Sequence, residues 1–388
     1  MLPLLIAGFV SVAFVFSVYI LYYLLIYRNK ELTSYRNRIN DLQFDFDLPP
    51  LSIIVSVYNE AKVIGRKLKN ISELDYPKEK LEVVVIDDCS VDNTYNIAKE
   101  KLDEHSLSGK VLRNQERIGL NESLNIAFQK ASNSIICVTD SDVTLEKRSL
   151  KNAVAILENF EEAGGVTGKI DPVFSRRAIA SASENSYREY YHNCMLAESS
   201  LHSAFPGNGP LIIFNKSLVS SSIPVRYGST DANIAMNIIK SGRRLLYVPN
   251  AIIYEPVPET LGQQRLQKVR RAKRLIQAFI HNTDVFGNYT YGKFGTRIYP
   301  LKLLMHVFCP VIFFIGIFSI FSYLLFLENF ILQLALVSSL VLLSLVLAIS
   351  RRARSIFSSF VFHQAYLVLG LISLSKRTVF WKTIERRG

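Results

Sequence analysis

Apolar residues gather at the two ends of the chain and alternate with polar ones in between. Residues Leu2 to Tyr27 (LPLLIAGFVSVAFVFSVYILYYLLIY) carry no charge. Such a run crosses a hydrocarbon core of ~30 Å as a tilted helix and is too long for a signal-peptide core. Arg28, Lys30, Arg36 and Arg38 follow at once, so the positive-inside rule places the next segment in the cytosol and the N-terminus outside. A second apolar block starts near Leu301 and predicts spans at about 301–327, 330–350 and 356–374. The basic Arg351-Arg352-Ala353-Arg354 predicts a cytosolic turn between the last two. Parity then sends the C-terminus outside, in conflict with its basic tail KRTVFWKTIERRG.

Between these blocks the pattern changes to short β-branched runs separated by helical periods. Leu51–Tyr58, Leu81–Ile86, a weak Val111-Leu112 and Ser134–Thr139 read as buried strands. Helices are expected after Asn59-Glu60, from about Asp92, and over Asn121–Lys130. Strands alternating with helices predict a parallel-rich α/β sheet with crossovers, whose ligand site lies beyond the carboxyl ends of the strands. Tyr58-Asn59-Glu60, Asp87-Asp88 and Asp140-Ser141-Asp142 all fall at that edge. Each alone reads equally well as a turn or a helix cap; three at successive strand ends point to a binding site. Further along, Glu184–Leu196 has aromatics at helical spacing and predicts an amphipathic helix at a membrane interface. Gln263–Arg274 carries six basic residues and no acid, which predicts a basic helix on an anionic membrane surface.

Composition narrows the function classes. The 388 residues are 49% hydrophobic and 20% charged, with mean hydropathy +0.20, which suits a membrane protein and excludes disorder. Four cysteines without C-x-x-C spacing, and scattered histidines without H-E-x-x-H, exclude a disulfide framework and a cysteine- or histidine-rich metal centre. The net charge of +12 raises nucleic-acid binding, but the basic residues sit beside the apolar spans and no nucleic-acid module is recognisable, so no nucleic-acid partner is expected.

The ordered set VSVYNE (55–60), VVVIDDCSVDNT (83–94), VTDSD (138–142), PGNGP (206–210), STDANIAMNIIKSGRRLLYVPNAIIYE (229–255) and PETLGQQRLQKVRRAKR (258–274) resembles the membrane-embedded family 2 glycosyltransferases with the GT-A fold, the branch that includes cellulose, chitin and hyaluronan synthases. The resemblance implies an N-terminal transmembrane helix at 1–28 and a cytosolic GT-A domain at 45–275, with interface helices to about 300. About three transmembrane helices at 301–375 and a basic tail at 376–388 complete the expected organisation. It implies a nucleotide-sugar donor, a UDP-sugar, bound by Ser56, Tyr58, Glu60, Asp88 and Asp140, with Asp88 accepting from the base and Tyr58 packing on its ring. Asp140 and Asp142 would hold Mg²⁺ or Mn²⁺ on the diphosphate. Asp231 matches the catalytic aspartate, a general base for the acceptor hydroxyl in an inverting reaction; read without the resemblance, it is a helix N-cap. Gly207, Asn208 and Gly209 would form a turn beside the acceptor, while Gln267, Arg270 and Arg271 would bind the diphosphate.

Departures from the family pattern shape the functional expectation. Arg271 stands where processive synthases carry tryptophan, Leu120 where a lysine is frequent, Ser56 where proline is common, and Thr230 where an acid precedes the catalytic aspartate. No carboxylate of the expected site is lost. The expectation is an inverting, metal-dependent transferase at the plasma membrane that adds one or a few sugars to a lipid-linked acceptor. Its alternatives are a processive synthase that extends and translocates a glycan, and an inactive nucleotide-sugar-binding membrane protein.

Overall fold

The computed structural model describes residues 2–41, 47–174, 181–219, 223–225, 227–258, 260–326, 333–334, 338 and 349–375. The span expected at 330–350 falls almost wholly outside these residues, and the tail at 376–388 entirely so.

β1 (Leu51–Val57), β2 (Leu81–Asp87), β3 (Gly109–Arg113) and β4 (Ile135–Asp140) form the parallel half of one eight-stranded sheet, in the order β3-β2-β1-β4. Their apolar runs are continuous because both faces are covered: α4 (Thr94–Glu104) packs on β2 and β3, and α5 (Leu120–Lys130) on β1 and β2. Ile53, Ile54, Val83, Val84 and Ile136 are fully buried there, and trimming any one of the isoleucines to alanine costs ~2–5 kcal/mol. The register pairs Ser56 with both Ile86 and Asp140, and Val57 with Asp87. The three polar clusters expected at the sheet edge therefore lie side by side.

Beyond β4 the sheet becomes mixed. The order continues β7 (Ile212–Asn215), β6 (Ala163–Val173), β8 (Arg244–Pro256), β5 (Thr144–Leu145), with β7 antiparallel to β4 and β6, and β6 parallel to β8. α6 (Ser149–Asn159) covers β6 and β8. β8 contains Pro249 and Asn250 at a register shift against Gly168 and Lys169. The proline sits in a bulge, where no ladder donor is needed.

Among the described residues three helices are long and apolar enough to span a membrane, Leu2–Tyr27, Phe294–Leu325 and Ala353–Ser375. α1 (Leu2–Tyr27) buries Gly8, Val15, Val18, Tyr22 and Ile26 on one face and exposes Leu2, Ile6, Phe9 and Val10 on others. It crosses α11 (Cys309–Leu325) at glycines: a Cβ on Gly8 would lie 2.6 Å from Ile320 and one on Gly316 would lie 2.9 Å from Ser11. Small residues let such helices approach closely. The second span starts earlier than the sequence suggests. Its first part holds the short α10 (Tyr299–Leu303) between two π-helical turns, Phe294–Ile298 and Leu304–Phe308.

The direction of α12 (Arg351–Ile372) corrects the expected topology. Phe360 packs on Phe16 and Tyr19, Gln364 donates to Tyr19 at 2.7 Å, and Gly370 abuts Ala272 and Lys273. Its C-terminal end thus meets the α/β domain, while Arg351–Arg354 lies at the end remote from it. The expected RRAR turn on the domain side does not hold, and the chain leaves α12 on the domain side. Buried packing along the helix, rather than the four flanking residues, sets this direction.

Two helices join the layers. α7 (Ser181–Leu201) keeps Asn185, Glu189 and Tyr190 exposed in its first half but buries Met195 to Leu201, and it packs against β8 and the helices α1, α2 (Glu31–Asn40) and α12. α9 (Leu261–His281) packs on α12 and buries Gln264, Ala272, Lys273, Arg274 and Ile276.

Candidate active site

A single cavity of about 600 Å³ collects most of the expected site residues. Ser56, Tyr58, Glu60, Asp88, Asp140 and Asp142 line it from the sheet edge, which we call its donor end, together with Gly207, Asn208, Gly209, Asp231, Arg270 and Arg271. Its far end is formed by Ser359, Phe362, His363, Tyr366 and Leu367 of α12 with Tyr187 and Tyr191 of α7. Gln267 is buried on α9 but is not part of this lining.

The donor end is built by two strained turns that lock together. Asn59 and Cys89 adopt φ of 54° and 62°, conformations that need outside support. The Asn59 amide donates to Ser90 Oγ at 2.8 Å, the Val91 amide to Asn59 Oδ1 at 2.9 Å, and the Glu60 amide to Thr94 Oγ1 at 2.8 Å. Asp87 is fully buried and serves the turn, accepting from the Ser90 amide at 3.1 Å and facing Arg113 at 3.4 Å. Asp88 faces the cavity and organises the loop beneath α5. Its Oδ1 accepts from Asn114, Ile118 and Ser123 at 3.0, 2.8 and 3.2 Å, and its Oδ2 from the Gly119 amide at 2.9 Å. Oδ1 is therefore saturated, and Oδ2 is the oxygen with room for one more donor.

Tyr58 does not present a bare ring. The Arg117 guanidinium lies over it at 3.6 Å, a cation–π contact. Arg117, three positions before Leu120, also lines the cavity and supplies a cation on the wall where the family lysine is missing. The gap at Leu120 is visible in the sequence; its substitute is not.

Asp140 ends β4 and Asp142 follows two residues later, both on the cavity wall. Behind them Lys67 of α3 (Ile64–Ser72) is 1% exposed and donates to Thr139 Oγ1 at 2.8 Å and to the Val143 carbonyl at 3.2 Å. Burial pushes its ammonium down to about 8, against the pull of Cys137, Asp140 and Asp142. Among the described residues no group of three His, Cys, Asp or Glu is placed to hold a metal ion. The two carboxylates fit a hard cation that completes its shell with phosphate oxygens and water rather than with protein.

Asp231 stands in the first turn of α8 (Thr230–Lys240), whose N-cap is Ser229. The cap expected at Asp231 thus falls two residues earlier. The Asp231 Oδ1 accepts from the Ala232 amide at 2.9 Å. Burial pushes the carboxyl up from its ordinary 3.8, against Ser229, Ala232 and Arg271, which pull it down. The PGNGP turn abuts it: a Cβ on Gly209 would sit 3.7 Å from Asp231. Gly207 has φ of 94°, and the Asn208 amide and side chain donate to Thr167 and to the Gly168 carbonyl, each at 2.7 Å.

The acids that α9 lacks come from other elements. Glu255 of β8 binds Arg271 and, at 2.6 Å, Arg188; Glu184 of α7 binds Arg188 at 3.0 Å and Lys268 at 2.8 Å. Burial raises the Glu184 carboxyl, but Arg188, Lys268 and Arg271 outweigh it and hold it below its ordinary value. The same Glu255 pairing holds the partly exposed Arg271 guanidinium firmly charged. Part of the basic face of α9 is thus turned into the protein, with Lys273 and Arg274 buried, while Arg265 and Arg271 stay exposed.

Comparison with known proteins fits this geometry. The family profile "Glycosyl transferase family 2" matches residues 52–214, and "Glycosyl transferase family group 2" matches residues 135–372. The chain belongs to the family 2 glycosyltransferases, of the GT-A-like, membrane-associated kind. It is 27% identical over 290 residues to a probable glycosyltransferase, YdaM, of Bacillus subtilis (strain 168), covering 72% of this chain and 64% of that one. It is 25% identical over 288 residues to the poly-beta-1,6-N-acetyl-D-glucosamine synthase of Staphylococcus aureus (strain COL), covering 72% and 65%. The aligned region therefore spans under two thirds of either relative. Among solved structures, the mannosyltransferase PcManGT from Pyrobaculum calidifontis, in complex with GDP-Man and Mn²⁺, shares the fold with a TM-score of 0.73 at 24% identity, over 96% of this chain and 98% of that one.

Proposed function

We propose that the protein transfers a sugar from a nucleotide-sugar, a UDP-sugar, to a lipid-linked acceptor drawn from the membrane, with inversion at the anomeric carbon. The observation that carries this reading is the continuity of the cavity. Asp140 and Asp142, Asp231, and Phe362, His363 and Tyr366 of a membrane helix all line it. An acceptor that entered from the lipid would meet the donor without crossing water.

In this reading Ser56, Tyr58, Glu60 and Asp88 bind the nucleoside, Asp88 through Oδ2. Asp140 and Asp142 hold Mg²⁺ or Mn²⁺, which when bound stabilises charge on the departing diphosphate. Arg270 and Arg271 neutralise phosphate oxygens, Arg271 oriented by Glu255. Asp231 takes the proton of the acceptor hydroxyl as its oxygen bonds the anomeric carbon. The bond from that carbon to the diphosphate breaks, and the nucleoside diphosphate leaves with the electron pair. Gly207, Asn208 and Gly209 give the acceptor close access to that carboxylate. Gln267 supports α9 from outside the cavity. The α/β domain, at 45–275, faces the cytosol of a plasma-membrane protein, since Arg28, Lys30, Arg36 and Arg38 follow α1 on its side.

A polymerising synthase is the second reading, favoured by the S. aureus relative's name. Product size separates the two. Purified protein supplied with UDP-, GDP- and dTDP-sugars, Mn²⁺ and membrane lipids is expected to make short, extractable glycolipid. A high-mass polymer made by the isolated chain would overturn the lipid-acceptor reading, and no consumption of any donor would overturn transfer itself.

A further inference from the structure

A second charged cluster lies away from the donor site, where the membrane helices meet the α/β domain. Glu198 of α7 and Lys302 of α10 are 0% and 5% exposed and 2.6 Å apart. Ionisable groups at membrane depth are costly unless paired, and they persist where they have work to perform. Here the pair shares one target. Glu198 Oε2 accepts from the Phe205 amide at 3.0 Å, and Lys302 Nζ donates to the Phe205 carbonyl. Tyr22 of α1 donates to the other Glu198 oxygen. Both backbone groups of Phe205 are therefore held by an ion pair whose cation, and whose extra donor, belong to membrane spans. The Phe205 ring is fixed as well, against Phe279 of α9 at 5.4 Å and Phe294 at 5.7 Å.

Phe205 leads directly into the PGNGP turn. Two residues on, Gly207 takes φ of 94°, Asn208 is bound by Thr167 and Gly168, and Gly209 packs on Asp231. Two π-helical turns bracket Lys302; such turns shift the register of the side chains that follow and are frequent at functional positions. We propose that Glu198 and Lys302 are positioning residues: they clamp Phe205 so that the seating of α1 and α10 sets the distance between the acceptor-side turn and Asp231. They touch neither donor nor acceptor. The clamp rests on the proposed transfer reaction for its consequence, but not for its structure.

The test uses the full-length protein in nanodiscs, as the parent, Glu198→Gln, Lys302→Met and the double variant. Neutralising both partners removes the stability penalty of an orphaned charge, so the double variant separates folding from positioning. Amide exchange at 205–209 is expected to rise at least ~10-fold in all three variants, while β1 and β2 stay protected. Binding of UDP and GDP with Mn²⁺ should stay within about twofold. Transfer to lipid acceptors should fall roughly 10- to 100-fold, and hydrolysis of the same donor by water should fall less. A double variant that keeps the 205–209 amides protected, or regains transfer together with melting temperature, would overturn the clamp. So would equal loss of nucleotide binding. A parent that consumes no donor would refute transfer, and exchange at 205–209 would then decide the clamp alone.

Discussion

The two ends of the cavity are made in different ways. The donor end is assembled from the carboxyl edges of β1, β2 and β4, strands that are register neighbours, with their turns tied to each other through backbone amides, as in Asn59 to Ser90. The rest of the cavity, from the diphosphate side to the acceptor end, is assembled from α7, α9, α12 and the 206–210 turn, elements far apart in sequence and partly in the membrane. Its side chains are held by ion pairs between elements, as in Glu184 and Glu255 with Arg188, Lys268 and Arg271. The donor end is rigid because its backbone allows little else. The acceptor end is only as fixed as the packing of its helices, which leaves it free to differ among proteins that share the donor chemistry.

Asp231 stands where the two ends meet, and its removal should have the largest effect. Asp231→Asn is expected to lower the transfer rate by roughly 10²-fold or more, the scale of a lost general base, with nucleotide affinity nearly unchanged in equilibrium binding. Parallel loss of both would tie Asp231 to the donor end instead. Because burial raises its carboxyl above 3.8, the acid limb of kcat/KM should lie above the ordinary aspartate value. Activity falls as pH drops through that limb, since the protonated base accepts nothing. A rate that is flat from pH 7 down to 4 would break the assignment.

Asp142→Asn probes the donor end alone. It should abolish the response to added Mn²⁺ or Mg²⁺ and raise the donor KM at least ~10-fold, while acceptor KM stays put. Full turnover of the parent in excess EDTA would remove the metal role altogether. Asp88→Asn is the next largest. An amide offers one acceptor oxygen where Asp88 now serves four donors, and its NH₂ would face the Gly119 or Ile118 amide. Nucleotide affinity should fall about tenfold, ~1.4 kcal/mol, and amide exchange should rise at 114–119 but not at 206–210. Spread of that loosening to the acceptor turn would show that the two ends are not independent.

The same division explains what is legible in the sequence. The donor end follows from contiguous signals: a β-branched run that ends in a polar pair is both the strand and the site, so Tyr58, Asp88, Asp140 and Asp142 can be placed from the order of residues alone. β6 and β8 are hidden because Gly164, Gly165, Pro249 and Asn250 interrupt their apolar patterns, and only pairing across the bulge makes them strands. Arg117 is hidden because its role depends on a loop that Asp88 folds back over Tyr58. α9 reads as a lipid-surface helix because its balancing acids lie on α7 and β8, where no local pattern points to them. The direction of α12 is concealed for a similar reason: Tyr19, Phe360 and Gly370 decide it, and loop charges do not.

The smallest expected effect concerns Lys67, which supports the metal loop from behind. Its ammonium is held at about 8, against 10.5 in an unfolded chain. Between those values the unfolded chain binds more protons than the folded one, so this residue adds stability as pH rises, and its penalty is complete below pH 8. The shift corresponds to roughly 3 kcal/mol. Lys67→Met removes that penalty along with the bonds to Thr139 and the Val143 carbonyl. The variant should therefore compare best with its parent near pH 7, and the parent should gain on it by pH 10, read as the difference in melting temperature at each pH in one detergent. A difference that does not move with pH would mean that Lys67 stays charged in the fold. The carboxylates in front of it would then face a full cation, and the donor end would owe part of its rigidity to charge rather than to backbone alone.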